Sequence, residues 1–300
     1  MPLRASETPW TMAPAVDNKR YADLSLQRRW YADELRWDAK LRSERLVKAF
    51  ATVPREAFLG PGPWHILSDN LFTRGYTKTS DADPRHLSHN VLVAIDPRRG
   101  LNNGSPSFLA WLIEQLDIKD GETVCHVGCG TGYYSAIMAE MVGKGGRVIA
   151  VELDKKLARR ARRNLEAYRN VEVVNADGFA HDPGHVDAIL VNAGVTHLSQ
   201  VWLRELRAKG RLVVPLTTKE GRGRILKATQ NKPNWHARFI SHVGIYHCVG
   251  ARNRSAENRL REAFAKGGAE EVRSLRLDEH ERNRGCWLHG PGFCLSRRPS

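Results

Sequence analysis

Wound at the helical period, Leu26, Trp30, Trp37 and Leu41 fall in one narrow sector of the segment 24–41, while Arg28, Asp33 and Lys40 lie elsewhere. That spacing predicts an amphipathic helix. Ser43 is placed to cap a second helix carrying Leu46, Val47 and Phe50, which Pro54 ends. The first 20 residues lack periodicity and read as an arm, "FLGPGPWHI" reads as loop, and 66–100 mix short apolar pieces such as "VLVAID" with Gly, Asp and Pro. Irregular structure or short strands are expected there.

After Gly100 the pattern becomes regular. Helices are predicted over 108–116, 133–141, 155–168 and 199–207, and strands over 123–127, 147–151, 171–175, 188–191 and 211–215. Strands alternating with helices imply a parallel sheet covered on both faces. From 225 onward, "RILKAT" and "FISHVGIYHC" read as antiparallel strands, and the charged stretch 251–285 carries one helix at 256–266 before "CWLHGPGFCLS". The expected divisions are a cap at 1–99, the α/β unit at 100–250 and an extension at 251–300.

The turn after the first parallel strand is "HVGCGTGYY", with Gly128, Gly130 and Gly132 at alternate positions. In such sheets ligands bind beyond the carboxyl ends of the strands, at the strand-to-helix turn where strand order reverses. A dinucleotide fingerprint requires a third glycine at 133, which here is Tyr133. A nucleoside cofactor without a pyrophosphate makes no such demand, and S-adenosyl-L-methionine fits. Glu152 closes the next strand twenty residues after Gly132, where a carboxylate can accept from two ribose hydroxyls. The third strand ends in "NADG", where Asp177 can accept from an adenine amino group and Gly178 leave room for the ring.

The runs "VCHVGCGTGYYSAIMAEMVGKGGRVIAVELD", "NVEVVNADG", "VDAILVNAG" and "KGRLVVPL", preceded by "VPREAF", together resemble the protein L-isoaspartyl (D-aspartyl) O-methyltransferase family over about 44–216. The resemblance implies a Rossmann-like class I methyltransferase: a mostly parallel seven-stranded sheet with an antiparallel end, a helical N-terminal cap and a C-terminal extension. It also implies S-adenosylmethionine contacts from Gly128, Gly130, Gly132, Glu152, Asp177 and Gly178. His126, Thr131, Tyr133, Leu153 and Asn192 complete the candidate cofactor set. Two departures stand out. His126 occupies a position where the family carries an acid, and "NNGSP" at 102–106 replaces a Thr-Ile-Ser-x-Pro stretch beside the methyl group, so the family's serine position is Gly104 and Ser105 comes one place later.

Methyl transfer from a sulfonium to oxygen needs alignment and desolvation. A carboxylate, with a pKa near ~4, is already ionised and needs no general base. No Ser/His/Asp or paired-acid arrangement stands near the loop, and the Asn/Asp-Pro-Pro-aromatic tetrapeptide of many amino-group methyltransferases is replaced by "VNAGV". Carboxyl O-methylation of a protein, peptide or small-molecule acceptor is therefore expected, with Asn103 and Ser105 as catalytic candidates and Asn102 and Asn192 as orienting groups.

Charge widens the choice of partner. The formal net charge of +14 motivates a second reading, methylation of RNA or a small metabolite. Gly104 and His126 motivate a third, a cofactor-binding protein without catalysis. Neither basic stretch argues strongly for nucleic acid. In "KKLARRARR" an apolar stripe of Leu157, Ala161, Leu165 and Tyr168 leaves six basic residues for a solvated face, and 251–284 carries nine Arg or Lys against seven Asp or Glu. Five scattered cysteines predict reduced thiols, and the absence of a leader-like or membrane-spanning apolar run predicts a cytoplasmic chain. Cys286, His289, Cys294 and His280 have zinc-ligand chemistry, but in an unbroken strand Cys286 and His289 point to opposite faces. No metal site is expected. Trp30, Trp37 and Trp64 read as core or lid residues packing the cap over the site.

Overall fold

The computed structural model describes residues 18–68, 75–231 and 234–299. Its elements run α1 (Asn18–Asp38), α2 (Glu44–Thr52), β1 (His65–Ser68), β2 (Thr77–Lys78), β3 (Val91–Asp96), β4 (Leu101–Asn102), α3 (Pro106–Leu116), β5 (Thr123–Val127) and α4 (Tyr133–Val142). They continue with β6 (Arg147–Glu152), α5 (Lys155–Asn164), β7 (Val171–Asn175), β8 (Val186–Val191), α6 (Gln200–Glu205), β9 (Leu206–Thr217), β10 (Arg222–Asn231) and β11 (Asn234–Gly244). The extension adds α7 (Arg254–Ala265), β12 (Ser274–Arg276), β13 (Cys286–Gly290) and β14 (Phe293–Ser296).

The main sheet has the order β13-β14-β12-β11-β10-β9-β8-β5-β6-β7. Strands β9, β8, β5, β6 and β7 are parallel, and β10 and β11 continue antiparallel. Those seven are the sheet expected from the sequence; β12, β14 and β13 lengthen it to ten strands. The chain runs β5-β6-β7 outward, then returns to place β8 on the other side of β5. The reversal lies between β5 and β8, directly above the glycine turn.

The cap differs from a purely helical one. It contains a second, antiparallel sheet in the order β2-β1-β3-β4. The arm read at 1–20 lies outside the described residues up to 17, and residues 18–20 open α1. On α1 the packed stripe is Leu24, Tyr31 and Leu35, while Trp30 and Trp37 are 58% and 78% exposed. The helix carries two apolar stripes, and the one complementary to α2 and α3 is buried. Trp64 is buried in a small core with Leu59, Leu87 and Val93.

Two apolar cores cover the sheet, one per face. The first joins Leu35, Phe50 and Phe58 of the cap to Ile113, Ile137 and Leu165. The second joins Trp202 and Leu212 to Leu260, Leu275 and Trp287 of the extension. The first core thus crosses the boundary expected near 100, and the second the one expected near 250. None of the described helices is long and apolar enough to cross a membrane.

Strand β13 departs from regular pleating. Cys286 pairs with Ser296 and Leu288 with Leu295, so Trp287 is an extra residue on its strand. Its indole packs between Phe239 and Phe264, at centroid distances of 5.0 and 5.5 Å, and donates to Gly267 O at 2.9 Å. The bulge shifts the alternation by one residue. Cys286 and His289 therefore share a face, contrary to the expectation for an unbroken strand.

Candidate active site

Beyond Val127 the backbone turns through Gly128, Gly130 and Gly132 with φ of +79°, +59° and +96°, values that side chains resist. Only at Gly130 would a Cβ enter open space; at Gly132 it would lie 2.7 Å from Leu165 Cδ1. Gly130 is therefore the glycine that opens the cleft, and Gly132 lets α5 pack against the turn. Gly178 belongs to the second kind. A Cβ there would meet Val127 Cγ1 at 2.5 Å, so its direct constraint is packing on β5 rather than room for a ring.

The turn forms the floor of an open cleft of about 930 Å³. Among its walls are Gly128, Gly130, Thr131, Glu152, Leu153, Asp177, Gly178 and Asn192, together with Asn102, Asn103, Gly104 and Ser105. The two acids predicted from separate strands thus face one cavity. Glu152 Oε2 accepts from Gly130 N at 2.8 Å, and Oε1 from Asp154 N at 2.9 Å. Burial raises the Glu152 pKa against the lowering effect of these N–H groups. Asp177 Oδ1 accepts from Phe179 N at 3.0 Å, and Gly250 sits so close to its other oxygen that a Cβ there would fall 1.8 Å from Oδ2. Leu153, 47% exposed, offers an apolar surface to the cleft.

His126 and Gly132 are not among the lining residues. His126 is fully buried, its Nδ1 lies 2.8 Å from Ser135 Oγ, and burial lowers its pKa to about 3. The imidazole is a neutral packing group between β5 and α4, so the reading of it as a cofactor contact is corrected. Tyr133 reaches the wall, but its ring is buried against Phe50, Phe58 and Tyr134 at 6.2, 5.6 and 5.0 Å. It anchors the cap to the helix that begins at the turn. Edge-on ring pairs of this kind are worth about 0.5–1.5 kcal/mol each.

In the 102–105 segment of the lining, the Asn103 amide oxygen accepts from Arg55 Nε and Nη2 at 3.3 and 3.0 Å. Arg55 is buried and also donates to the carbonyls of Leu87, His89 and Val91. It holds the acceptor-side loop to the cap, leaving Asn103 a braced wall residue. Ser105 precedes α3, and its hydroxyl makes no capping bond. Asn102 Nδ2 donates to Tyr76 Oη and Tyr246 Oη at 3.1 and 3.0 Å, closing the rim where Tyr246 Oη also donates to Gly100 O. Arg55 and Tyr246 escaped the sequence reading. Arg55 lies inside the quoted "VPREAF", but its role depends on carbonyls more than thirty residues away.

The lining suits a nucleoside cofactor. Thr131 Oγ1 is buried without a partner, the space over Gly130 is open, and the amino end of α4 presents unpaired N–H groups to negative charge.

The model of the protein-L-isoaspartate(D-aspartate) O-methyltransferase family matches residues 30–246. The chain belongs to this family. Its similarity to protein-L-isoaspartate O-methyltransferase 1 of Archaeoglobus fulgidus is 32% identity over 198 residues, covering 65% of this chain and 81% of the relative. To the Aeropyrum pernix protein-L-isoaspartate O-methyltransferase it is 31% over 222 residues, covering 72% and 76%. Among solved structures, a protein-L-isoaspartate O-methyltransferase aligns with TM-score 0.56 at 24% identity, over 78% of this chain and 69% of that one. A candidate protein-L-isoaspartate O-methyltransferase of Plasmodium falciparum, in complex with S-adenosyl-L-homocysteine, aligns with TM-score 0.57 at 17% identity, over 74% and 97%. The fold is that of the class I methyltransferases, and the family's cofactor is S-adenosyl-L-methionine. Against the family pattern, Gly104 takes φ +84°, and a Cβ there would lie 3.0 Å from Leu109 Cδ2.

Proposed function

We propose that this chain methylates the carboxylate of an isoaspartyl-bearing peptide or protein. In this reading Glu152 accepts from the ribose hydroxyls, Asp177 from the adenine amino group, and the Gly128–Thr131 turn receives the amino-acid end of the cofactor. The observation that carries it is the convergence of Gly130, Glu152 and Asp177 from three adjacent strands onto one cleft.

S-adenosylmethionine supplies an electrophilic methyl group on a sulfonium. The residues around the acceptor have a narrower task. Asn102, Asn103 and Ser105 are neutral, as suits an acceptor that is already ionised at neutral pH and needs no base. Arg222, exposed on the rim, supplies positive charge that draws an anionic acceptor in. Leu101, Phe108 and Leu109 in the wall lower the local polarity, which strengthens the attraction between carboxylate and sulfonium. Ser105 is the group free to orient the acceptor.

Calorimetry with S-adenosylhomocysteine tests the binding half: saturable heat whose affinity falls in Glu152→Ala supports the assignment, and no heat with the unaltered chain overturns it. An isoaspartyl peptide incubated with labelled cofactor tests the acceptor. Formation of a base-labile methyl ester supports the proposal, whereas labelling confined to RNA or to no acceptor rejects it.

A further inference from the structure

The extension beyond the family match ends in a side-chain cluster that the methyltransferase site does not use. The bulge at Trp287 places Cys286 and His289 on one face of β13, and Cys294 stands on the same face of β14, opposite His289. From the irregular stretch between β12 and β13, His280 reaches over this face, its Nε2 3.5 Å from Cys286 Sγ and its ring 4.8 Å from that of His289. The donor atoms of all four residues lie within 4.8 Å of one another. None of the four lines the cleft.

We propose that His280, Cys286, His289 and Cys294 form a structural zinc site. Two thiolates and two imidazoles make a closed four-coordinate set for a borderline-soft ion. Bond lengths of about 2.0–2.3 Å put ligand atoms in a tetrahedron roughly 3.3–3.8 Å apart, so the side chains need contract by only about 1 Å.

Surrounding contacts have the form such a site requires. His280 Nδ1 lies 2.9 Å from Asp278 O, fixing the tautomer that leaves Nε2 as a lone pair. His289 Nδ1 is buried without a hydrogen-bond partner. Asn283 N donates to Cys286 Sγ at 3.4 Å.

The site explains how the charged stretch "LDEHERNRG" is held to the hairpin. Its own hydrogen bonds are largely short-range, and zinc would tie it to both strands through His280. A disulfide between Cys286 and Cys294 would leave both imidazoles without a role.

The test is zinc content of the full chain, purified in reductant and desalted. Close to one zinc per chain, falling at least tenfold in the Cys286→Ser/Cys294→Ser double variant while S-adenosylhomocysteine still binds, supports the site. Should the double variant fail to fold, X-ray absorption on the unaltered chain decides: two sulfur and two nitrogen neighbours support the proposal, and an all-oxygen shell overturns it. A chain that retains no added zinc, or whose Cys286 and Cys294 are joined as a disulfide, overturns it as well.

Discussion

Glu152 Oε2 accepts from Gly130 N at 2.8 Å: the carboxylate at the tip of β6 holds the glycine turn that follows β5. One side chain therefore shapes the floor of the cleft and faces the position assigned to the ribose. Glu152→Gln keeps an acceptor but loses the charge, and Glu152→Ala loses both. Hydrogen bonds to a charged group are worth about 1.5–3 kcal/mol. The alanine variant is expected to bind S-adenosylhomocysteine on the order of 10–100-fold more weakly, as calorimetry would show. Because burial raises the Glu152 pKa, affinity in the unaltered chain falls as pH drops through that raised pKa, and the glutamine variant does not share that fall.

His126 gives a second, separable pH signature. Burial holds it neutral with a pKa of about 3, whereas an unfolded histidine takes a proton near pH ~6.5. Between those values the unfolded chain binds more protons. The stability present above pH ~6.5 is therefore lost as pH falls, with a slope approaching about 1.4 kcal/mol per pH unit from this one residue. Denaturant melts of the unaltered chain and His126→Gln across this range should show a shallower slope in the variant; equal slopes would refute the buried, neutral assignment.

Arg55 is the group whose loss should uncouple acceptor chemistry from cofactor binding. Arg55→Met leaves buried oxygens of Leu87, Val91 and Asn103 without their donor. A stability loss of at least about 3 kcal/mol is expected, measured by urea melting. In chain that remains folded, kcat/KM for the acceptor falls while the Kd of S-adenosylhomocysteine changes little.

Ser105→Ala should lower kcat by about 5–10-fold, the worth of one orienting hydrogen bond of about 1 kcal/mol, with cofactor affinity unchanged. Gly104→Ser, which restores the family's residue type at that position, should not raise activity. Its φ of +84° and the 3.0 Å approach to Leu109 make any side chain there strained, at a cost of about 1–2 kcal/mol. Thermal melting and turnover of an isoaspartyl peptide check both variants.

Much of the site was legible because its parts are local. The glycine turn, Glu152 and Asp177 each follow a strand whose apolar run is visible in the chain, and the parallel βα succession puts those strand ends side by side. His126 misled because a position in a motif does not say which way a side chain faces in the packed sheet. Arg55 was passed over because its meaning lies in oxygens supplied by Leu87, His89, Val91 and Asn103. Trp30 and Trp37 read as packed core or lid residues because periodicity finds an apolar stripe without saying whether another element will cover it, and both are exposed.

The sequence by itself determined the strand and helix alternation over about 108–215, the antiparallel return after it, and the glycine turn and two acids that line one cleft, since hydrophobic period and turn residues act over a few positions. Only the tertiary structure decided which stripe of α1 is buried, that Asn103 is braced by Arg55, and that Cys286 and His289 share a face. Those outcomes depend on what distant segments offer: a complementary apolar surface, a set of carbonyls, or a pocket between Phe239 and Phe264 that draws Trp287 inward and shifts the strand's alternation by one residue.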